Sequence, residues 1–464
     1  MTFFCISRKK KCVFKIYDQA VTMKKPLIRL FLCCFVLTGN CSAWTQSVSL
    51  QAGPMLGYSE MREVLIWVQT TAEAGVTLAW WDLASPNKVS ITENYRTGAK
   101  EAFTARFVIG GLEPGRKYGY QVRLDGKPVL LPQALEFQTQ GLWQWRTDPP
   151  TFSVALGSCS YINDSPYDRP GTPYGSNYRI FESILAKKPD AMLWLGDNTY
   201  LREVDWHSRS GILYRYTHTR STPELQGLLG SVHHYAIWDD HDFGPDNSDR
   251  SFFRKEATLE AFQLFWGNPT TGLAGIPGIV TQFQWADIDF FLLDNRFNRA
   301  PDDRKSGERT QYGQAQLEWL VDALVSSRAP FKMVATGGQF LSASPSGENH
   351  IRLYPQERAW LLARLEEEGV RNVIFLSGDR HFTELTELPR AGGGSFFDMT
   401  VSPLTSGVNT MPENNILRVP GTLVTQHNFG LLEFSGPRQA RKLIMMVCDA
   451  GGKELWRREI LSKP

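Results

Sequence analysis

The sequence lacks a long apolar segment and an excess of charge of one sign. The apolar run from about Leu27 to Leu37 is shorter than the ~20 residues that a membrane-spanning helix needs, and no later segment reaches that length. Lysine and arginine number 50 against 48 acidic residues, so no global field attracts nucleic acid or a membrane surface. Partner choice must therefore depend on a local site, and we expect neither a transmembrane segment nor a nucleic-acid-binding surface.

The N-terminus has the three-part layout of a secretory signal. Lysines follow Met23, the apolar run comes next, and small residues end at Ala43. We expect an N-terminal extension and signal peptide over residues 1–43, cleavage near Ala43, and export by the general secretory route to the periplasm or the exterior. Translation starts at Met1 or at Met23. Lipoprotein anchoring at Cys41 is the alternative to cleavage.

Cysteine is scarce beyond that extension. Five of the seven cysteines lie within residues 1–43, which leaves Cys159 and Cys448. In an exported chain these two could form one disulfide. The chain otherwise has 42% hydrophobic and 12% aromatic residues over 464 positions, enough for a large core and more than one domain.

Residues 44–140 have the pattern of a β-sandwich. Short alternating strands are separated by turn-forming clusters such as "ASPNK" and "LEPGR". Gly111–Leu124 resembles the corner of a fibronectin type III-like module, where a tyrosine follows a Pro-Gly turn. The module either packs against its neighbour or binds an envelope component. The predicted strands are "EVLIWVQT", "GVTLAWWD", "FTARFVIG", "KYGYQVRL" and "LEFQTQ".

Residues 151–464, after a proline-ended linker at 141–150, have the pattern of an α/β catalytic domain. Apolar runs alternate with amphipathic helical segments, which indicates layers of strands and helices. The predicted strands are "TFSVALGS", "DAMLWLGD", "HHYAIWDD", "DFFLLDNR", "FKMVATGG" and "NVIFLSGD", and the predicted helices are "YRIFESILAKK", "GQAQLEWLVDALVSS" and "QERAWLLARLEEEG".

Polar residues follow most of these strands. Loops beyond the carboxyl ends of strands in an open α/β sheet converge on one crevice. Singly, each polar residue could be a turn or scaffold residue, but converging carboxylates repel one another unless cations or protons neutralise them. We therefore predict metal binding, by a mixed donor set compatible with iron, manganese, calcium or zinc. The candidates are Cys159, Asp197, Tyr200, Asp239, Asp240, His241, Asp242, Asp294, Arg296, Asp379 and His381.

Six ordered blocks resemble a known family. They are "FSVALGSC", "LWLGDNTY", "WDDHD", "LDNR", "GQAQLEWL" and "LSGDRH". Together they resemble the PhoD-like alkaline phosphatases and phosphodiesterases, which are relatives of the purple acid phosphatases among calcineurin-like metallophosphoesterases. The resemblance runs from about residue 48 to residue 460. It implies a metallophosphoesterase-type α/β sandwich with the fibronectin-like β-sandwich in front of it.

The resemblance also implies a dinuclear centre of Fe3+ and Ca2+, with Zn2+, Mn2+ or Mg2+ as possible substitutes. The iron ligands of the family match Cys159, Asp197, Tyr200 and His381. Asp197 would bridge to the second ion, which Asp379 and Asp240 would also bind. Asn247 competes with Asp240 for that last position.

The chemistry of such a centre agrees with the residues around it. Two cations ~3.5–4 Å apart can hold a hydroxide between them and clamp phosphate oxygens. His241 is placed to hydrogen-bond a substrate oxygen or to protonate the leaving group. Arg296 either binds phosphate with its paired donors or pairs with Asp294 or another carboxylate of the site.

Three departures from the family pattern are visible. Asn198 and Thr199 occupy the middle of a block that often contains Tyr and Ile. The export signal has no twin arginines. Where related metallophosphoesterases use a histidine, this chain has Gly337, Gly338 and Gln339, with His350 as a weak substitute.

The resulting prediction is an exported phosphoester hydrolase that acts on monoesters, diesters or both, with a small-molecule or polymeric phosphate ester as its partner. A phosphodiesterase or phospholipase-type enzyme for envelope polymers or lipids is one alternative. A non-catalytic envelope-binding protein with a structural metal site is another, disfavoured because such a site needs no neighbouring acid. The sequence gives no prediction of the number of subunits.

Overall fold

Strands predominate in residues 48–462, the part of the chain that the computed structural model describes. The strands are β1 Leu50–Ser59, β2 Val64–Thr70, β3 Gly75–Asp82, β4 Ser90–Ile91, β5 Tyr95–Arg96, β6 Thr104–Ile109, β7 Lys117–Leu124, β8 Lys127–Pro128, β9 Glu136–Gln138, β10 Phe152–Gly157, β11 Ala191–Leu195, β12 His233–Ile237, β13 Thr281–Trp285, β14 Ile288–Leu292, β15 Lys332–Ala335, β16 Val373–Ser377, β17 Glu384–Pro389, β18 Ser395–Thr400, β19 Asn428–Ser435, β20 Lys442–Asp449 and β21 Glu454–Leu461.

The helices lie mainly between strands of the C-terminal two thirds. They are α1 Ile180–Ala186, α2 Arg209–Arg220, α3 Gln226–Ser231, α4 Asp240–Phe243, α5 Lys255–Phe265, α6 Gln314–Ser326, α7 His350–Leu353 and α8 Pro355–Glu367. Helix α2 begins at an N-cap, Ser208, whose side chain accepts a hydrogen bond from the amide of Gly211. Among residues 48–462, no helix is long and apolar enough to cross a membrane.

Two mixed sheets pack face to face at the centre of the protein. The nine-stranded sheet has the order β21-β20-β19-β10-β11-β12-β1-β2-β6, and the six-stranded sheet has the order β13-β14-β15-β16-β18-β17. Strands β10, β11 and β12 are parallel to one another, as are β14, β15, β16 and β18. The carboxyl ends within each parallel set therefore lie along one edge of their sheet.

Alternation of apolar side chains explains why the six-stranded sheet is buried on both faces. Phe290 packs in the core between the sheets, where its ring lies 6.3 Å from that of Phe434 on β19. Its neighbour Phe291 points the other way and packs with Leu320 of α6 and Leu361 of α8 in a second core. The sheets are thus sandwiched between helices.

Of the front strands, which are β1–β9, three belong to the same nine-stranded sheet. Strand β1 runs parallel to β12, with Leu56 opposite His233, and continues the sheet to β2 and β6. A separate sheet built on β3 and β7 covers them, with a shared core that contains Ile66, Leu78 and Val122. Between β9 and β10, residues 139–151 form neither strand nor helix.

The eleven predicted strands and three predicted helices are confirmed, with boundaries within a few residues. The disulfide between Cys159 and Cys448 is wrong, because both thiols are free and buried. The predicted signal peptide and the possible lipoprotein site at Cys41 lie outside the described residues.

Candidate metal centre

The candidate site lies where strands of both sheets end. Cys159 follows β10, Asp197 follows β11, and Asp379 and His381 follow β16. All four have positive φ, between 53° and 68°, although none is glycine. Such a left-handed conformation is costly for these residues and persists only where the surroundings enforce it. A left-handed residue therefore recurs at three of the strand ends that supply the site, whereas Asp239, after β12, is extended.

The first group of donor atoms brings together four residues from three strand ends. Donor atoms of Cys159, Asp197 and His381 all lie within 4.8 Å of one another. The Tyr200 hydroxyl lies 3.1 Å from Oδ2 of Asp197 and 3.4 Å from Nε2 of His381. The structure thus brings together the four residues that the family resemblance assigns to one ion.

Two further donor groups overlap with the first. Asp197, Asp240 and His241 form one, and Asp239, Asp240 and Asp379 form the other, again within 4.8 Å. Because Asp197 and Asp240 are each shared, the three groups form a continuous row. Asp239 is a strand-end candidate that the family resemblance does not assign to a metal. Three of the four residues 239–242 are aspartates, and the sequence does not indicate which of them face the site.

Asp240 rather than Asn247 lies with the other donors. Asp240 is 3% exposed, whereas Asn247 is exposed and its side-chain amide donates to Asp246. The backbone N–H of Asn247 donates to Oδ2 of Asp240 at 2.7 Å. Asn247 therefore orients the carboxylate of Asp240 through its backbone.

The carboxylates and the thiol of the site are poorly solvated. Burial, reinforced by Asp240, raises the pKa of Asp197 well above its ordinary value. Burial and the nearby Glu348 raise the pKa of Asp379 to about 7, and burial raises the pKa of the Cys159 thiol to about 12. These groups need protons or cations to remain together.

Two buried carboxylate oxygens show that the site has room in its bonding for a cation. Oδ2 of Asp239 and Oδ1 of Asp240 are buried and accept no hydrogen bond from the described residues. Burial alone would raise the pKa of Asp240, but the Arg296 guanidinium holds it below its usual range, so this carboxylate is ionised. Unsatisfied carboxylate oxygens beside a thiol, a phenol and an imidazole suit bound cations.

Arg296 lies against the carboxylates of the site, in agreement with the second of the two roles that the sequence left open. Its side chain is 1% exposed and its Nε donates to Oδ1 of Asp239. Its second terminal nitrogen lies 3.4 Å from Asp240 and 3.6 Å from Glu348. Asp294, the expected partner, instead accepts the backbone N–H of Arg296 at 2.9 Å. With its donors committed to protein groups, Arg296 serves to neutralise and position the carboxylates.

His241 is the more accessible polar group at the site. Its side chain is 23% exposed, and its ring stacks on Tyr200 with centroids 4.3 Å apart. Nε2 lies 3.7 Å from the exposed carboxylate of Asp246. A substrate can therefore reach this imidazole.

Asn198 and Thr199, which depart from the family pattern, support the turn that contains Asp197. Their backbone N–H groups donate to the carboxylate of Asp242, at 3.1 Å and 2.9 Å. Burial raises the pKa of Asp242 to about 8. Asp242 is thus a scaffold residue rather than a member of the donor groups.

His350 does not replace the histidine that relatives carry near Gly337. It is buried elsewhere, with Nε2 3.0 Å from Oε1 of Glu357. Gly337 itself has no room for a side chain, because a Cβ there would overlap the amide of Asn295 and the carboxyl of Asp239.

Two supporting residues were missed by sequence reasoning. The Ser402 hydroxyl donates to the sulfur of Cys159 at 3.0 Å, and the Tyr174 hydroxyl lies 3.1 Å from Nδ1 of His381. Ser402 comes just after β18, so the strand-end rule could have found it. Tyr174 lies in an irregular loop without a sequence signal.

Comparison with known proteins identifies the family of this site. The sequence model described as PhoD-like phosphatase matches residues 154–431, which is more than half of the chain. The chain belongs to the PhoD-like phosphatase family. The matched range includes every residue of the three donor groups. The front strands match a domain of unknown function (DUF7800) over residues 47–142.

Individual members and solved structures agree with that family and with the fold. Alkaline phosphatase D of Bacillus subtilis (strain 168) is 24% identical over 319 residues, which cover 58% of this chain and 52% of that protein. The chain thus matches about half the length of this curated relative.

Two solved structures match most of the chain. A structure of PhoD has a TM-score of 0.70 at 16% identity and covers 89% of this chain and 92% of its own. A purple acid phosphatase from yellow lupin (Lupinus luteus) seeds has a TM-score of 0.60 at 12% identity, over 88% of this chain and 74% of its own. The predicted α/β fold of the metallophosphoesterase type is confirmed.

Proposed function

We propose that this PhoD-like protein is an exported, metal-dependent phosphoester hydrolase with a dinuclear centre. The observation that supports this most directly is the row of three donor groups linked by Asp197 and Asp240. A bridging carboxylate has two oxygens, and those of Asp197 face different neighbours. Oδ2 lies toward Cys159 and Tyr200, and Oδ1 accepts the backbone N–H of His241 at 3.3 Å.

The two ends of the row differ in chemistry. Thiol, phenol and imidazole donors come from Cys159, Tyr200 and His381, a set that suits Fe3+. Asp240 and Asp379 offer oxygens alone, which suit Ca2+. We assign the two ions accordingly, with Asp197 between them and Asp239 as an additional oxygen donor to the second.

The protein's own groups would position substrate and handle the proton. When bound, the two cations would supply an ionised water near neutral pH and charge stabilisation for phosphate oxygens. His241 would donate a hydrogen bond or a proton from Nε2 to the departing alcohol oxygen. Stacking on Tyr200 fixes the plane of that imidazole. The carboxylate of Asp246 lies 3.7 Å from Nε2 on the solvent side.

We further propose that the front strands form a fibronectin type III-like module with a packing role. Their large buried core and the pairing of β1 with β12 favour this role over attachment to an envelope polymer.

Metal analysis followed by hydrolysis assays tests the proposal. Purified protein should contain iron and a second cation, and should hydrolyse an aryl phosphate monoester or diester in a chelator-sensitive manner. Asp197→Asn should lose both ions and reduce kcat/KM at least about 1,000-fold. Asp322→Asn, the same change at an exposed position of α6, is the matched control and should retain metal and activity.

Two results would contradict the proposal. One is protein that stays metal-free after incubation with Fe3+ and Ca2+. The other is hydrolysis that survives in Asp197→Asn at the rate of the Asp322→Asn control.

A further inference from the structure

A cavity of about 450 Å³ opens beside the donor groups. Tyr200, His241 and Tyr174 line it, and each of these also contacts a member of the metal centre. Its volume falls within the range of pockets that hold small molecules, about 300–1,000 Å³. The cavity therefore continues directly from the place where the phosphate group would react.

Aromatic rings form much of the cavity wall. The ring of Tyr161 lies 4.8 Å from that of Tyr174 and 5.1 Å from that of Tyr200, measured between centroids. Trp206, half-buried, lines the cavity as well. The guanidinium of Arg202 lies 3.7 Å from the centroid of Tyr161 and packs against that ring. An aromatic ring held in this cavity would therefore contact aromatic side chains on several sides.

The charged lining residues offer no free cation to a second anionic group. Arg202 pairs with Asp168 at 3.2 Å, and Arg169 pairs with Glu203 at 3.1 Å. Asp246 adds a third carboxylate to the lining. Apart from His241, whose proton serves the leaving group, the two arginines of the lining are already paired, so a further phosphate on the alcohol would find carboxylates and no unpaired cation.

We propose that this cavity binds the alcohol portion of the phosphoester, and that the preferred alcohol is uncharged and carries an aromatic ring. The inference rests on the proposed hydrolase function and specifies its substrate class. It places polyanionic esters, such as chains of linked phosphodiesters, among the poor substrates.

Competing esters of primary alcohols test the preference, because their leaving groups are similarly basic. The metal-loaded protein should hydrolyse 2-phenylethyl phosphate with kcat/KM about tenfold above that for glycerol 1-phosphate. The bisphosphate of propane-1,3-diol should be a poorer substrate than either. Trp206→Leu should lower the ratio of phenylethyl to glycerol ester at least about threefold. Trp145→Leu, the same change at a residue that is 91% exposed and outside the cavity, should leave that ratio as it was.

A charge variant provides an independent readout. Glu203→Gln removes the partner of Arg169, so kcat/KM for the bisphosphate should rise about threefold relative to 2-phenylethyl phosphate.

The outcomes separate this inference from the function on which it rests. Hydrolysis of all three esters with equal kcat/KM, or a preference for the bisphosphate, overturns the inference and leaves the hydrolase standing. Metal-loaded protein that hydrolyses none of them, nor an aryl phosphate, overturns both.

Discussion

The hydroxyl of Ser402 donates a hydrogen bond to the sulfur of Cys159 over 3.0 Å. Cys159 follows β10 of the nine-stranded sheet, and Ser402 follows β18 of the six-stranded sheet. The bond therefore joins the two halves of the sandwich at the metal centre. It also lowers the pKa of the thiol against the opposing effect of burial, and so favours the thiolate that a metal requires.

Ser402→Ala should weaken the binding of the first ion. Loss of an outer hydrogen bond to a metal ligand costs about 10–100-fold in metal affinity. Iron content after dialysis against a graded chelator measures the effect. Ser85→Ala, in an exposed turn after β3, is the control and should not differ from the native protein. Equal iron retention by both variants would show that the hydrogen bond is dispensable.

Gly337→Ala should disturb the second ion, whereas Gly338→Ala should not. A Cβ at Gly337 overlaps Asp239 and Asn295, while a Cβ at Gly338 meets no atom within 4 Å. The first variant should lose about 1–3 kcal/mol of stability. The second should remain within about 0.5 kcal/mol of the native free energy of unfolding. Denaturant unfolding and calcium titration measure both, and identical behaviour of the two neighbours would refute the crowding argument.

His241→Gln should slow the chemical step without emptying the centre. A missing proton donor should reduce kcat for an alkyl ester about 100-fold. The reduction should be smaller for 4-nitrophenyl phosphate, because its leaving group departs without protonation. Metal analysis of the same preparation separates this role from ligation. A uniform loss across both esters, together with lost metal, would indicate that His241 is a ligand instead.

Arg296→Met should leave the buried carboxylates of Asp239 and Asp240 without their common partner. Removing one member of a buried ion pair costs about 3–5 kcal/mol. We expect that loss in metal-free protein and partial recovery when a divalent cation is added, because the cation replaces the missing charge near Asp239 and Asp240. Arg116→Met, at an exposed position, is the control. Full stability of metal-free Arg296→Met would contradict the role assigned to this guanidinium.

His234 should contribute to acid denaturation. It is buried on β12, where Nδ1 accepts the indole N–H of Trp194 at 3.0 Å and Nε2 lies 3.1 Å from the carbonyl of Leu228. Burial lowers its pKa to about 3, whereas in the unfolded chain it stays near 6.5. Between these values the unfolded chain binds more protons, so stability is present above pH 6.5 and is lost as the pH falls toward 3.

Thermal unfolding measured from pH 7 to pH 4 tests whether stability falls with pH as expected. His234→Gln should show a shallower fall in Tm than the native protein, with His233, whose pKa burial lowers to about 4, responsible for part of the remaining slope. His207→Gln, on an exposed segment, should keep the native slope. A native-like slope in His234→Gln would exclude this histidine as a source of acid lability.

The sequence predicted the buried strands with uninterrupted apolar runs, which are β10, β11, β12, β14, β15 and β16. Strand β1 was missed, since "LQAGPMLGYS" contains two glycines and a proline that indicate a turn. Its pairing with β12 is a long-range contact that local periodicity does not encode.

The candidate site was predicted residue by residue only where a donor follows a strand. Cys159, Asp197 and Asp379 met that rule, and each belongs to the row of linked donor groups. The sequence left two roles for Arg296 open because its partners, Asp239 and Glu348, come from distant loops. Which of several carboxylates neutralises a guanidinium depends on tertiary packing, and the sequence contains no equivalent signal.

Because β1 pairs with β12, the front strands cover what would otherwise be an exposed edge of the large sheet. Without residues 48–142, β12 would present unpaired N–H and C=O groups to solvent, immediately before Asp239 and Asp240. An unprotected strand of that kind attracts pairing with other chains. A fragment that keeps β12 paired on both sides, and so keeps the candidate metal centre in an intact sheet, must therefore include β1. That strand lies well before residues 154–431, which the family model matches.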